Sequence, residues 1–219
     1  MNRGVRLALV ALGTAAAAVL IVFYIVGYLM VTPPTSTAAS SGAGTASLTL
    51  QTVASYGNAP RPDWVSYLVR DPQGNWQHTT YFQVPAHSLV RVTIYQYDTG
   101  TGLRNPFYSQ ARGTVGNAMA INGKRAVTID QDTAAHTFAV PDLGISVPLK
   151  GVADDAKNQC AAAPCDTSMA HNTITFSFRT GAPGTYRWQC FVPCAAGNLL
   201  GNGGPMQTLG WMGGFLNVV

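Results

Sequence analysis

The sequence predicts an all-β body, a two-sheet Greek-key sandwich, carried behind one N-terminal membrane-spanning helix. Three observations lead there. Only 10% of the 219 residues are charged, while 23 are Gly and 13 are Pro, the composition of short strands cut by frequent turns. Beyond residue 31 no stretch holds an apolar period of 3.6, and several alternate in twos. Ahead of that point, Leu7 to Val31 runs for 25 residues without a charge.

The apolar run comes first in the chain. At about 1.5 Å per residue it spans the roughly 30 Å hydrocarbon core of a bilayer with some tilt to spare. A cleaved signal peptide is the competing reading, since Arg3 and Arg6 make a basic start. Signal cores end by about 15 residues, however, and this one continues through Tyr24 and Tyr28, which suit the far membrane interface. The expectation is an uncleaved single-pass anchor. Residues 1–6 stay in the cytoplasm by the positive-inside rule, and the rest lies outside. The formal charge of +4 (13 basic, 9 acidic) falls to +2 without Arg3 and Arg6. That is too little to hold a nucleic acid, and this partner class is excluded.

Residues 32–47, TPPTSTAASSGAGTAS, are small and polar with two prolines, and read as a flexible tether. The domain then occupies 48–219. Strands are expected at Tyr81 to Val84 and at Ser88 to Tyr95, the latter with Leu89, Val92 and Ile94 set among polar or exposed positions. Asn122-Gly123 is a hairpin signal leading into Ala126 to Ile129, and His136 to Val140 is another short strand. Thr173 to Phe178 alternates strictly, with Ile174, Phe176 and Phe178 on one face. Tyr186 to Cys190 runs up again, Trp188 being a core candidate, and Gly214 to Val219 closes the chain. Two polar stretches, about 98–123 and 151–172, read as loop insertions.

Three segments carry whatever chemistry the domain has. His136 opens AHTFAVPDLG; a Gly-Pro-Gly turn joins two strands ending in Cys190-x-x-x-Cys194; and Met212 precedes the closing strand. This order resembles the copper-binding cupredoxin domain of cytochrome c oxidase subunit II, in its short single-anchor form. The matching positions are His136, Phe138, Val140-Pro141, Leu143-Gly144, Pro183-Gly184, Tyr186, Cys190 and Cys194. The closing M-x-G-x-L-x-V is similar to the last ligand and final strand of small blue copper proteins. The resemblance implies a cupredoxin-like fold, copper as cofactor with Met212 as axial thioether, and electron transfer linked to a respiratory oxidase or an electron donor.

The same resemblance exposes a gap. Copper centres of this kind use two imidazoles, and the family's second histidine stands four residues after its second cysteine. Asn198 occupies that position, and no histidine follows His171. Where the family commonly has Glu between the cysteines, this chain has Val192. In one reading His136, Cys190, Cys194 and Met212 form a soft-ligand site, joined by Met206 or by His171 as replacement imidazole. In the other, oxidation pairs Cys190 with Cys194 and Cys160 with Cys165 as structural disulfides. His78 and His87 read as surface or structural residues. Between Cys194 and Met212 lie seventeen residues rich in glycine. Leu199, Leu200, Met206 and Trp211 there form either a flap or a partner-docking surface. No Ser-His-Asp order, catalytic carboxylate pair or phosphate loop stands out, so the chain is at most one subunit of an oxidoreductase complex. Three functions stay open: copper-based electron transfer, a copper-less scaffold, and copper storage or delivery.

Overall fold

The structure is a computed structural model and describes residues 2–30, 32–58, 61–195 and 201–219. It divides into two units, residues 1–32 and 33–219, taken separately below.

The first unit is a helix, α1, Arg3–Tyr24, continued by one π-turn over Ile25–Leu29. Asn2 caps it, its side-chain oxygen accepting from the Gly4 N–H at 3.1 Å. From Arg3 to Gly27 the segment is long and apolar enough to cross a membrane, with a mean hydropathy of 2.6. It starts four residues before the apolar run because Arg3 and Arg6 fit a helix as well as a loop.

Among its described residues the second unit contains fourteen strands: β1 Thr35–Thr37, β2 Ala39–Ser40, β3 Thr45–Asn58, β4 Arg61–Arg70, β5 Trp76–Gln77, β6 Tyr81–Val84, β7 Leu89–Gln96, β8 Met119–Ile121, β9 Lys124–Ala126, β10 Ala134–Val140, β11 Ile145–Lys150, β12 Asn172–Arg179, β13 Gly184–Gln189 and β14 Gly213–Val218. One sheet runs β1-β6-β14-β13-β10-β11; the other runs β5-β4-β3-β7-β12-β8-β9, with β2 beside β3. The pairs β1·β6, β6·β14 and β3·β7 are parallel and the rest antiparallel, so the chain repeatedly crosses between sheets. This is the two-sheet sandwich expected from the alternating pattern.

The core follows from that alternation. Val90, Val92 and Ile94 of β7 stand opposite Phe178, Phe176 and Ile174 of β12, and all six are buried. Leu89 lies on the other face, half-buried, because strict alternation pairs 90 with 92 and 94. Facing them, Trp188 of β13 stacks on Phe82 and Phe138, with ring centroids 5.4 and 5.5 Å away. Its indole N–H donates to the Thr80 carbonyl at 2.8 Å. Every residue of β10 is buried, as suits a strand covered on both faces.

Close backbone approach explains one glycine. A Cβ on Gly214 would collide with the Thr80 carbonyl and hydroxyl, which also bond to Phe215 N–H and to the Gly213 carbonyl. Gly214→Ala is expected to destabilise the domain by about 1–3 kcal/mol, read as a lower urea midpoint. An unchanged midpoint would show that β14 can shift freely.

Several expectations are corrected here. Residues 32–47 are not a free tether: Thr35–Thr37 pairs with Tyr81–Gln83, and Ala39–Ser40 pairs with Ala46 and Ser47. Threonine and serine fit a pleated edge, and Ser36 and Ala38 are buried there, so composition alone misleads. The domain therefore begins at Pro33, and its longest hairpin, β3–β4, precedes Tyr81. The Asn122-Gly123 turn forms, both residues having positive φ, but the returning strand is Lys124–Ala126. Residues 98–123 are not all loop, since β8 joins the second sheet beside β12.

Residues 151–172 do form a loop, closed by the Cys160–Cys165 disulfide. Cys165 packs with Val53, Leu68 and Tyr97 in a small second core. Replacing both cysteines by alanine is expected to cost about 2 kcal/mol, the loop-entropy value for so short a ring. Urea titration checks this, and no loss would mean that packing alone holds the loop.

Candidate metal centre

β10 begins at the end of the sandwich where β7 finishes, and His136 lies on the β10 face that also carries Phe138 and Val140. β13 runs antiparallel to β14 up to Gln189↔Gly213, which sets Cys190 opposite Met212, with Cys190 N–H donating to the Met212 carbonyl at 2.8 Å. Thr137 fixes the turn that follows. Its hydroxyl accepts from Phe191 N–H at 2.8 Å, and its own N–H points at the Cys190 sulfur, 3.4 Å away.

These constraints gather three ligand-type side chains. The donor atoms of His136, Cys190 and Cys194 lie within 4.8 Å of one another, with His136 and Cys190 fully buried. His136 Nδ1 is 3.9 Å from the Cys190 sulfur, and the two sulfurs are 3.7 Å apart. Met206 adds its thioether, 3.0 Å from the Cys194 sulfur. The Val192 carbonyl faces both thiols, at 3.2 Å from Cys194 and 3.8 Å from Cys190. Met212 is buried beside Cys190, held there by its backbone.

The groups tune one another. Burial alone would lower the His136 pKa, but contact with Asp98 and with Cys190 outweighs it and raises the value to about 9. Burial would raise the Cys190 pKa. Donation from the Cys194 S–H, the His136 ring and the Thr137 N–H together hold it well below the ordinary thiol value. Cys194 is pushed the other way by its bond to Cys190 and by burial. Of the pair, Cys190 is thus the more acidic thiol and Cys194 the less acidic.

The remaining expectations fall out differently. Cys190 and Cys194 are free thiols, so of the two disulfides considered only Cys160–Cys165 is present. His171 is not part of the group: its ring packs on Tyr95 and Tyr97, and its Nδ1 lies 2.8 Å from the Met169 carbonyl. Met206 and Trp211 are buried, at 3% and 0% exposure, so neither offers a docking surface; Trp211 packs edge-on against Trp64 and His78. Leu199, Leu200 and Asn198 lie outside the described residues.

Sequence reasoning missed Asp98, Thr137 and Tyr67. Asp98 Oδ2 lies 3.2 Å from His136 Nε2, close enough for a charge-assisted contact although off the ideal hydrogen-bond line. Tyr67, fully buried, donates its hydroxyl to the Thr137 carbonyl at 2.9 Å. All three come from long-range packing. The one hint lay in YQYD, residues 95–98, where an acidic residue follows just past the end of the alternating strand β7.

A mixed two-sheet sandwich with a histidine, two cysteines and methionines gathered at one end is a cupredoxin-like fold. No protein-family model and no curated protein matches the chain. Among solved structures it is similar to rusticyanin from Thiobacillus ferrooxidans, at 16% identity over 86% of this chain and 84% of that one, with a TM-score of 0.38. Reduced rusticyanin gives 16% identity over 87% of each chain and a TM-score of 0.36. Auracyanin B gives 17% over 86% of this chain and 98% of that one, with a TM-score of 0.26. At such scores these similarities say nothing of which residues hold a metal.

Proposed function

We propose that this chain is a membrane-anchored copper protein that transfers single electrons on the extracytoplasmic side, in service of a respiratory oxidase or its electron donor. One observation carries the reading: two free thiols and an imidazole, two of the three fully buried, converge beside a thioether. Thiolate and thioether donors select copper(I) over hard cations, and a copper ion held there would supply a one-electron couple. Donor chemistry fits, with His136, Cys190, Cys194 and Met206 as the holding residues and Met212 as a further thioether.

Burial favours this over storage or delivery. His136 and Cys190 are fully buried, and Thr137 bonds to the Cys190 sulfur and to Phe191 N–H, which supports a fixed site over one that opens to hand a metal on. The apolar helix behind Arg3 and Arg6 supports the anchored orientation. The resemblance to oxidase subunit II, carried by the H-x-F and C-x-x-x-C segments, supports an oxidase as partner.

The test loads the full chain, in detergent and under reducing conditions, with copper(I), followed by oxidation. About one copper per chain with an intense visible band on oxidation is expected. A colourless protein that keeps copper(I) would favour storage. No copper, with Cys190 and Cys194 closed into a disulfide, would leave the scaffold reading.

A further inference from the structure

A neutral imidazole has one N–H and one lone pair, and only the lone pair ligates a metal. The group facing the other nitrogen decides which is which. In His136, Nδ1 faces the Cys190 sulfur and Nε2 faces Asp98. Among the described residues Asp98 is the polar side chain placed against Nε2.

That carboxylate is held from several sides. Its Oδ1 accepts from Thr99 N–H at 2.8 Å. Its backbone N–H donates to the Gln96 side-chain oxygen at 3.1 Å, and its carbonyl accepts from the Gln96 amide at 2.8 Å and from Val152 N–H at 2.9 Å. Gln96 is itself fully buried and bonded to the Thr52 hydroxyl. An ionised carboxylate only accepts, so the nitrogen facing it must carry the proton.

We propose that Asp98 is the positioning residue of this site: it keeps a proton on His136 Nε2, so that Nδ1 is the nitrogen that gives up its proton when the ring becomes neutral and turns a lone pair toward Cys190 and Cys194. The inference rests on the copper reading for its consequence, though not for its geometry. Among the described residues the group has a single imidazole, and no other of them supplies nitrogen ligation if His136 adopts the other tautomer.

Two measurements on the full-length protein in detergent test it. Copper(I) affinity, by competition with a chromophoric chelator, should fall about 10–100-fold in Asp98→Ala. Asp98→Asn, which keeps an oxygen able to accept from Nε2, should lose less. In a His136→Ala background, Asp98→Ala should cost nothing further; an equal loss there would mean that Asp98 acts only on the fold, and would overturn the proposal. In metal-free protein held above the His136 pKa of about 9, where the ring is neutral, long-range nitrogen–proton NMR should place its proton on Nε2 and find it displaced in Asp98→Ala. A wild-type ring protonated on Nδ1 would also overturn it. Should the wild type bind no copper(I), the copper reading fails, and the NMR measurement still decides the role of Asp98.

Discussion

Cys190→Ser is expected to take bound copper from about one per chain to none detectable, the largest functional effect of any single change in this domain. The Cys190 sulfur is the hub of the centre, within 4 Å of His136 Nδ1, the Cys194 sulfur and the Thr137 N–H. A serine oxygen is hard, hardly ionised at neutral pH, and a poor donor for copper(I). The backbone should stay close to its place, because the Cys190 N–H bonds to the Met212 carbonyl whatever the side chain, and a serine oxygen can still accept from the Thr137 N–H. The loss should therefore exceed the 10–100-fold typical of a residue that only supports a ligand, at an almost unchanged unfolding midpoint. Stoichiometric copper in the variant would remove Cys190 from the site.

Trp188→Ala should have the largest effect on stability, about 3–5 kcal/mol. Trp188 is wholly buried between Phe82 and Phe138, touches Tyr67 edge-on at 4.8 Å, and bonds to the Thr80 carbonyl. Truncation leaves a cavity among rings that cannot collapse together, since each is fixed on a different strand. Trp188→Phe keeps most of the packing and should cost less. Urea unfolding with an unchanged slope measures both. Because Trp188 lies two residues before Cys190, the alanine variant should also loosen the thiol pair. A loss below about 1 kcal/mol would contradict the placement of Trp188 at the centre of the core.

How much of this could be read from the chain depends on the range of the interactions involved. The alternation of Ile174, Phe176 and Phe178, the Asn122-Gly123 turn and the nearby Cys160 and Cys165 are local signals, and each is found where the sequence suggests. His136, Cys190 and Cys194 were legible as a set only through the order of their segments, and the structure brings them together. Other features were closed to local reasoning. Thr35 to Ser40 has the composition of a linker, and only pairing with β6 and β3 makes it structure. Asp98 belongs to the site because β7 ends beside β10, 38 positions away in sequence. Met206 and Trp211 looked like loop side chains available to a partner, but burial against the sandwich outweighs glycine-rich surroundings.

The central claim is that Cys190 and Cys194 are free thiols built to hold one soft metal ion with His136 and Met206. Its most direct test is mass-spectrometric alkylation of the full chain with and without copper(I), alongside the copper content of the same samples. The account predicts that Cys190 and Cys194 of the unfolded metal-free chain alkylate without prior reduction. It further predicts that about one copper per chain protects both, while Cys160 and Cys165 react only after reduction. Cysteines 190 and 194 that alkylate only after reduction, in a chain that takes up no copper, would contradict it.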